Sequence, residues 1–234
     1  MRNYRASAGS QIRVDYGAAL VRGLWHFEDT RPHSVTFKAL NDELDAQFKA
    51  RVALRKPWIE ARQDVRFCDY NAEQVIRALQ RVLEIADGSR RGPLSKDIFP
   101  DGITPVIAPA GAAQLPALVR LIDRFTKSRL AGIDTVRSAE LPKLDAARTQ
   151  LDTAAQAYKA ARDAYLDAFG TEKAIRDEHR LAVTSLMGTV RALHPGDKQR
   201  QDVIFPESST GSPAGADEDD ADDGDTDPVA PADA

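Results

Sequence analysis

Apolar residues recur every three or four positions along most of the chain, which is the spacing of one face of an α-helix. The first run covers residues 16–28, the second 34–57 and the third 71–88. The third starts with an asparagine followed three residues later by glutamine, a pattern typical of a capped helix start. We therefore predict three helices, with a turn near residues 68–70 and with Pro57 kinking the second helix or starting another.

The second half of the chain shows the same periodicity. A run over residues 115–125 stops before Gly132, and a much longer run then reaches Gly170 and Thr171, which we expect to form the turn of a helical hairpin. The return helix should end before Pro195. The long run has a heptad pattern that predicts helix packing, with large residues at one core position (Leu144, Leu151, Tyr158, Tyr165) and alanine at the other (Ala147, Ala154, Ala161, Ala168).

Between the halves the periodicity disappears. Residues 88–113 are rich in proline and glycine, which predicts an extended, turning segment, and we assign the crossover between the two units to residues 101–113. Extended backbone leaves polar groups that need partners, so we predict an interaction surface here. Its candidate residues are Ile98, Phe99, Pro100, Ile103, Val106 and Ile107.

Two short sequences occur twice in the same order. Residues 19–22 repeat as 117–120 (Ala-Leu-Val-Arg), and residues 98–100 repeat as 204–206 (Ile-Phe-Pro). Each half thus reads short helix, long helix, return helix, Ile-Phe-Pro. The predicted fold is an all-α bundle of about six helices, built from two pseudo-repeated three-helix units with long antiparallel hairpins. The segments are an N-terminal arm (1–15), a first unit (16–100), the crossover (101–113), a second unit (114–206) and a tail (207–234).

The charge of the chain is unevenly distributed. The 234 residues carry a net charge of -4, yet the tail alone holds ten acidic residues and no basic one. Residues 1–206 therefore carry 32 basic and 26 acidic side chains, a net charge of +6. The tail also lacks aromatic residues, so we expect it to be disordered.

Composition excludes several classes of protein. A single cysteine, Cys68, rules out a disulfide scaffold or a structural zinc module and favours a reducing, cytoplasmic environment. The N-terminus shows no apolar signal-peptide core, and the longest uncharged stretch, residues 102–119, is broken by prolines. We expect no membrane association.

The sequence contains none of the common motifs of nucleotide-binding proteins, hydrolases or metalloproteases. No Glu-x-x-His pair occurs, which a di-iron helical bundle would need. His179 lies on the apolar face of its helix, and a hairpin turn at residue 170 would bring it between Tyr158 and Tyr165. A core histidine bonded to tyrosine is the favoured interpretation.

The sequence thus favours a non-enzymatic structural or protein-interaction protein, with a protein partner or self-association. We expect no catalytic residue, cofactor, metal or evident small-molecule ligand. One alternative is a nucleic-acid-associated protein whose basic body is masked by the acidic tail, although the dispersed basic residues do not favour it. Another is an enzyme with an unrecognised site near His179.

Overall fold

The computed structural model describes residues 3–206, and its regular secondary structure is helical throughout that range. Helices take up 82% of it and no strand is present there, which confirms the predicted all-α class. The predicted tail, 207–234, lies outside the described residues. The α-helices are α1 (Ser10–Trp25), α2 (Arg31–Asp87), α3 (Pro93–Ile98), α4 (Thr104–Ile107), α5 (Leu115–Lys127), α6 (Ile133–Leu193) and α7 (Lys198–Ile204), and a 3-10 helix covers Gly111–Gln114.

Helix α2 is continuous, so the predicted turn at residues 68–70 is wrong. Pro57 is exposed, so its ring projects into solvent, and the helix continues through it instead of starting anew there. Asn71 lies inside the helix instead of capping it, and its side-chain amide donates to Gln150 Oε1 at 3.3 Å. Tertiary packing here overrides local start and stop signals.

Helix α6 is also continuous, so the hairpin turn predicted at Gly170 and Thr171 is wrong, and with it the long antiparallel hairpins. The Thr171 hydroxyl donates to the Asp167 carbonyl one turn earlier, a bond that a threonine makes inside a helix. The next residue, Glu172, is buried in an ion pair with Arg51. A chain reversal at residue 170 would displace this carboxylate.

The segment predicted to be an extended crossover instead forms short helical turns, namely α3, α4 and the 3-10 helix. Pro93 and Pro105 lie in the first turns of α3 and α4, where a missing N–H costs nothing and a fixed φ favours the helix. Gly102, between these helices, has a φ of +79°, which suits glycine. Proline therefore starts helices here.

The described residues pack as two compact units, each with its own core. The first unit contains residues 3–55 and 164–206; its core includes Leu20, Phe37, Val183 and Phe205. The second unit contains residues 56–163. Its core combines residues of α2 and α6 with the segment between them, including Leu79, Ile98, Phe125 and Leu151. The division of the chain into two consecutive helical units, residues 16–100 and 114–206, stays a prediction.

Candidate functional site

His179 lies in the core of the first unit, and both of its ring nitrogens are engaged. Nδ1 is 2.8 Å from the Tyr4 hydroxyl, and Nε2 is 3.1 Å from Asn41 Oδ1. Burial, together with the nearby Arg13 charge, lowers the pKa of His179 to about 4. The ring is therefore neutral near pH 7, accepting from Tyr4 O–H and donating its Nε2–H to Asn41.

The expected partners of His179, Tyr158 and Tyr165, lie elsewhere. Because α6 does not turn at residue 170, Tyr165 and His179 are 14 residues apart on one helix, about 21 Å at the standard rise. The tyrosine that meets His179 is Tyr4, which precedes α1 and carries no helical periodicity. No sequence signal linked it to residue 179.

A buried ion pair accompanies this histidine in the first unit. Arg51 Nε donates to Glu172 Oε2 at 2.5 Å, and the Ser10 hydroxyl donates to Glu172 Oε1. Arg51 also donates to the Tyr165 hydroxyl at 3.0 Å, and the Phe169 ring packs against its guanidinium. The two charged side chains are paired with each other and with hydroxyls, and in this way they connect α1, α2 and α6.

Arg13 fixes the N-terminal arm to the first unit. It donates to the carbonyl oxygens of Ala6 at 2.8 Å and Ala8 at 2.7 Å, and to that of Arg176 on α6 at 2.8 Å. Its guanidinium also lies 5.0 Å from the centre of the Tyr4 ring. These buried polar groups are paired among themselves, which is what a structural network requires.

The eight predicted helix-packing residues occupy one side of α6, and none is fully exposed. Leu144, Ala147 and Leu151 are buried in the core of the second unit, whereas the remaining five are half-buried. By contrast, Ala160, which we place on the outward face, is exposed. The role of these residues in packing against a partner stays a prediction.

The predicted crossover residues lie mostly inside the second unit. Ile98, Phe99 and Val106 are buried in its core, and Ile103 and Ile107 are partly buried against it. Pro100 is exposed. Their role as an interaction surface stays a prediction, and core packing accounts for their apolar character.

A groove lies between α2 and α6 in the second unit, with a volume of about 740 Å³. Helix α6 contributes small and medium side chains, mainly alanine and threonine, and α2 contributes Phe67 and Cys68. Phe67 is 65% exposed, an unusual position for a phenylalanine. The residues lining the groove are Asp64, Phe67, Cys68, Asp145, Ala146, Thr149, Gln150, Thr153, Ala154 and Ala157.

The charges lining this groove are negative. Asp64 and Asp145 lie along it and no basic residue does. Burial, and next the charge of Asp64, raise the pKa of the Cys68 thiol. Cys68 is consequently a weak nucleophile, and the groove combines an apolar floor with an acidic edge.

The described part of the chain shows neither a candidate metal centre nor a membrane-spanning helix. Residues 3–206 hold no group of three or more metal-binding side chains, and none of their helices is long and apolar enough to cross a bilayer. Comparison with protein-family models, with curated proteins and with solved structures finds no match for this chain.

Proposed function

We propose that this protein is a non-enzymatic helical-bundle protein that binds another polypeptide in the groove between α2 and α6. The observation that carries this proposal is the solvent-exposed aromatic surface beside the groove. Phe67 and Tyr70 lie three residues apart on α2, so they are neighbours on its surface, and Tyr70 is also exposed. Exposed aromatic residues next to a concave surface are typical anchors of a protein interface.

The shape of the groove favours a helix as its occupant. Ala146, Thr153 and Ala157 recur along α6 at intervals of seven and four residues, so they share a helical face. Small side chains on such a face let the backbone of another helix approach closely. An amphipathic helix lying in an apolar groove is a common mode of peptide recognition.

The charge of the groove defines the chemistry of that helix. Asp64 and Asp145 line the groove, and Asp145 forms a long, partly exposed ion pair with Arg148 Nε at 3.9 Å. Lysine or arginine residues flanking an apolar face would therefore be complementary to the groove. We infer a partner that presents a basic amphipathic helix.

A designed peptide tests this proposal. We would titrate the full chain with an 18-residue helical peptide of leucine and lysine, and with an analogue carrying glutamate in place of lysine. The lysine peptide should bind and the glutamate peptide should not. Phe67→Ala should weaken binding at least about tenfold, since it removes an aromatic anchor.

The matched control is Ile85→Ala, which truncates another exposed apolar residue of α2, 79% exposed and outside the groove. It should leave the affinity within about twofold. Equal affinities of both variants would contradict the proposal, because the peptide would then be held elsewhere, for instance by the acidic tail. If the chain self-associates and Phe67→Ala abolishes this self-association, the groove binds a second copy of the chain. That result would also contradict the proposed basic partner.

We further propose that the bundle is built from two copies of one arrangement. Helices α1, α2 and α3 correspond to α5, α6 and α7, and the last helix of each set ends in a buried Ile-Phe pair (Ile98 and Phe99, Ile204 and Phe205). In the first unit α7 packs on α1, and in the second α3 packs on α5. Each Ile-Phe-Pro segment thus supports the short helix of the other copy.

Contacts at the two equivalent isoleucines support this repeat. A Cβ atom on Gly23 of α1 would lie 2.2 Å from the Ile204 carbonyl oxygen, so that glycine permits a close approach of the backbone. Arg124 of α5 donates to the Ile98 carbonyl at 3.3 Å. Gly23→Ala should therefore destabilise the chain, whereas Gly188→Ala, where a Cβ would meet nothing, should not.

A further inference from the structure

A second concavity in the second unit is lined by cations instead of carboxylates. It lies where α2 ends and α3 begins, and its volume is about 1100 Å³. Four basic side chains line it, together with two acidic ones, Glu84 and Asp101. The four basic residues are Arg81, Arg90, Arg91 and Lys96.

The basic side chains of this cleft outnumber its acidic ones and are not held in ion pairs among the described residues. Within residues 3–206, none of the four makes an ion pair within 4 Å, although many other basic residues of the same range do. Glu84, the nearest carboxylate in sequence to Arg81, instead accepts a hydrogen bond from Gln80. By contrast, Arg200, which follows α6 in the first unit, donates hydrogen bonds to both carboxylate oxygens of Asp29.

The start of α3, which supplies Ser95 and Lys96 to this cleft, is held by hydrogen bonds to the end of α2. Asp87, at the end of α2, accepts the N–H groups of Leu94 and Ser95 at 2.9 Å and so fixes the start of α3. Burial acts to raise the Asp87 pKa, but these hydrogen bonds outweigh it and lower the pKa. The Ser95 side chain is buried and lines the cleft, with its hydroxyl beside the Asp87 carboxylate.

We propose that this cleft binds a multiply charged phosphate group, such as a diphosphate or triphosphate. Arginine matches phosphate oxygens with paired N–H donors, and several arginines around one concavity supply more charge than a single phosphate needs. The volume of about 1100 Å³ also exceeds that of one phosphate and lies slightly above the usual range of ligand pockets, about 300–1,000 Å³. The proposal does not depend on the peptide groove, which lies elsewhere in the unit.

Calorimetric titration of the full chain with sodium triphosphate at 150 mM salt tests this site. We expect binding that Arg90→Gln/Arg91→Gln weakens at least about tenfold, because two charge-assisted contacts are lost. The matched control is Arg120→Gln/Arg191→Gln, which removes two exposed arginines from other helices and should change the affinity less than twofold. Lys96→Gln, a single exposed change, provides an independent variant with an expected weakening of several-fold.

Two further ligands separate the possible sources of the phosphate. Adenosine triphosphate binding much more tightly than triphosphate would identify a nucleotide, and equal or weaker binding would identify free polyphosphate. Absence of triphosphate binding, or equal weakening in both double variants, would overturn the proposal. Duplex DNA binding that depends on Arg90 and Arg91, without triphosphate binding, would also overturn it and assign the surface to nucleic acid. Phe67→Ala should leave triphosphate binding unchanged, which keeps this test separate from that of the groove.

Discussion

At the scale of single residues, the stability of the first unit depends on buried polar groups whose partners are distant in sequence. Glu172 joins Arg51 of α2 and Ser10 of α1, and His179 joins Tyr4 and Asn41. When one partner is lost, the other stays buried in a low-dielectric interior without a hydrogen bond. The free-energy cost of burying that unpaired group exceeds the net contribution of the bond itself.

Glu172→Gln should consequently destabilise the chain by about 3–5 kcal/mol, because Arg51 would remain charged and buried. The comparison is Asp42→Asn, which breaks the exposed pair between Lys38 and Asp42 on α2. That change should cost less than about 1 kcal/mol. Urea denaturation measures both changes in the free energy of unfolding. Similar losses of stability in the two variants would contradict the importance of the buried ion pair.

His179 makes stability depend on pH in a defined window. An unfolded histidine binds a proton near pH 6.5, whereas folded His179 does so only near pH 4. Its folded pKa is depressed, so its contribution is fully present above about pH 6.5 and is lost as the pH falls toward 4. By linkage, stability should drop by about 2 kcal/mol between pH 7.5 and pH 5.

Urea denaturation at these two pH values tests the effect of His179. His179→Gln should be less stable at pH 7.5 but should lose much less stability on acidification, since glutamine does not titrate. Arg13 is the charged group that faces the ring and it stays protonated throughout this range, so it does not add to the pH dependence. An unchanged pH dependence in the variant would show that other groups are responsible.

At the scale of helices, the sequence predicts helix faces better than helix ends. The α5 segment, the end of α2 at Gly88 and the end of α6 before Pro195 agree with the prediction. Helix α1 does not, because it begins at Ser10, inside the predicted N-terminal arm, and ends at Trp25 instead of residue 28. The turns at residues 68–70 and 170–171 do not, because local signals at Asn71, Gly170 and Thr171 are weaker than the packing around them.

The groove and the cleft could not be located from the sequence. Each joins residues that are distant along the chain, such as Phe67 with Ala157 in the groove and Arg81 with Thr104 in the cleft. Periodicity identifies which face of a helix is apolar, but it does not specify which other helix faces it. The buried pair of Arg51 and Glu172 was missed for the same reason, since charged residues are expected at the surface.

Gly170 provides a test of the continuous helix. Its Cβ position is open, so Gly170→Ala should stabilise the chain by about 0.5–1 kcal/mol through higher helix propensity. Gly132 is the control, because its surroundings are equally open but its φ is +86°. Gly132→Ala should destabilise by about 1 kcal/mol. Thermal denaturation that shows Gly170→Ala to be destabilising would instead support a turn at residue 170.

At the scale of the whole molecule, opposite charges are separated. The second unit presents an acidic, partly aromatic groove and a basic cleft, formed by different residues. The chain as a whole joins a body of net charge +6 to a tail with ten carboxylates. In the interactions proposed above, such an arrangement would discriminate among partners by charge more than it would add affinity.

The reactivity of Cys68 tests the proposed groove most directly, because the chain's one thiol lies in its wall. We would measure the alkylation rate of Cys68 by iodoacetamide at pH 8, alone and with a saturating concentration of the leucine–lysine peptide. We expect the peptide to slow alkylation several-fold, Ile85→Ala to preserve this protection and Phe67→Ala to abolish it. An unchanged alkylation rate with the peptide fully bound would contradict the account, because the peptide would then occupy a different surface.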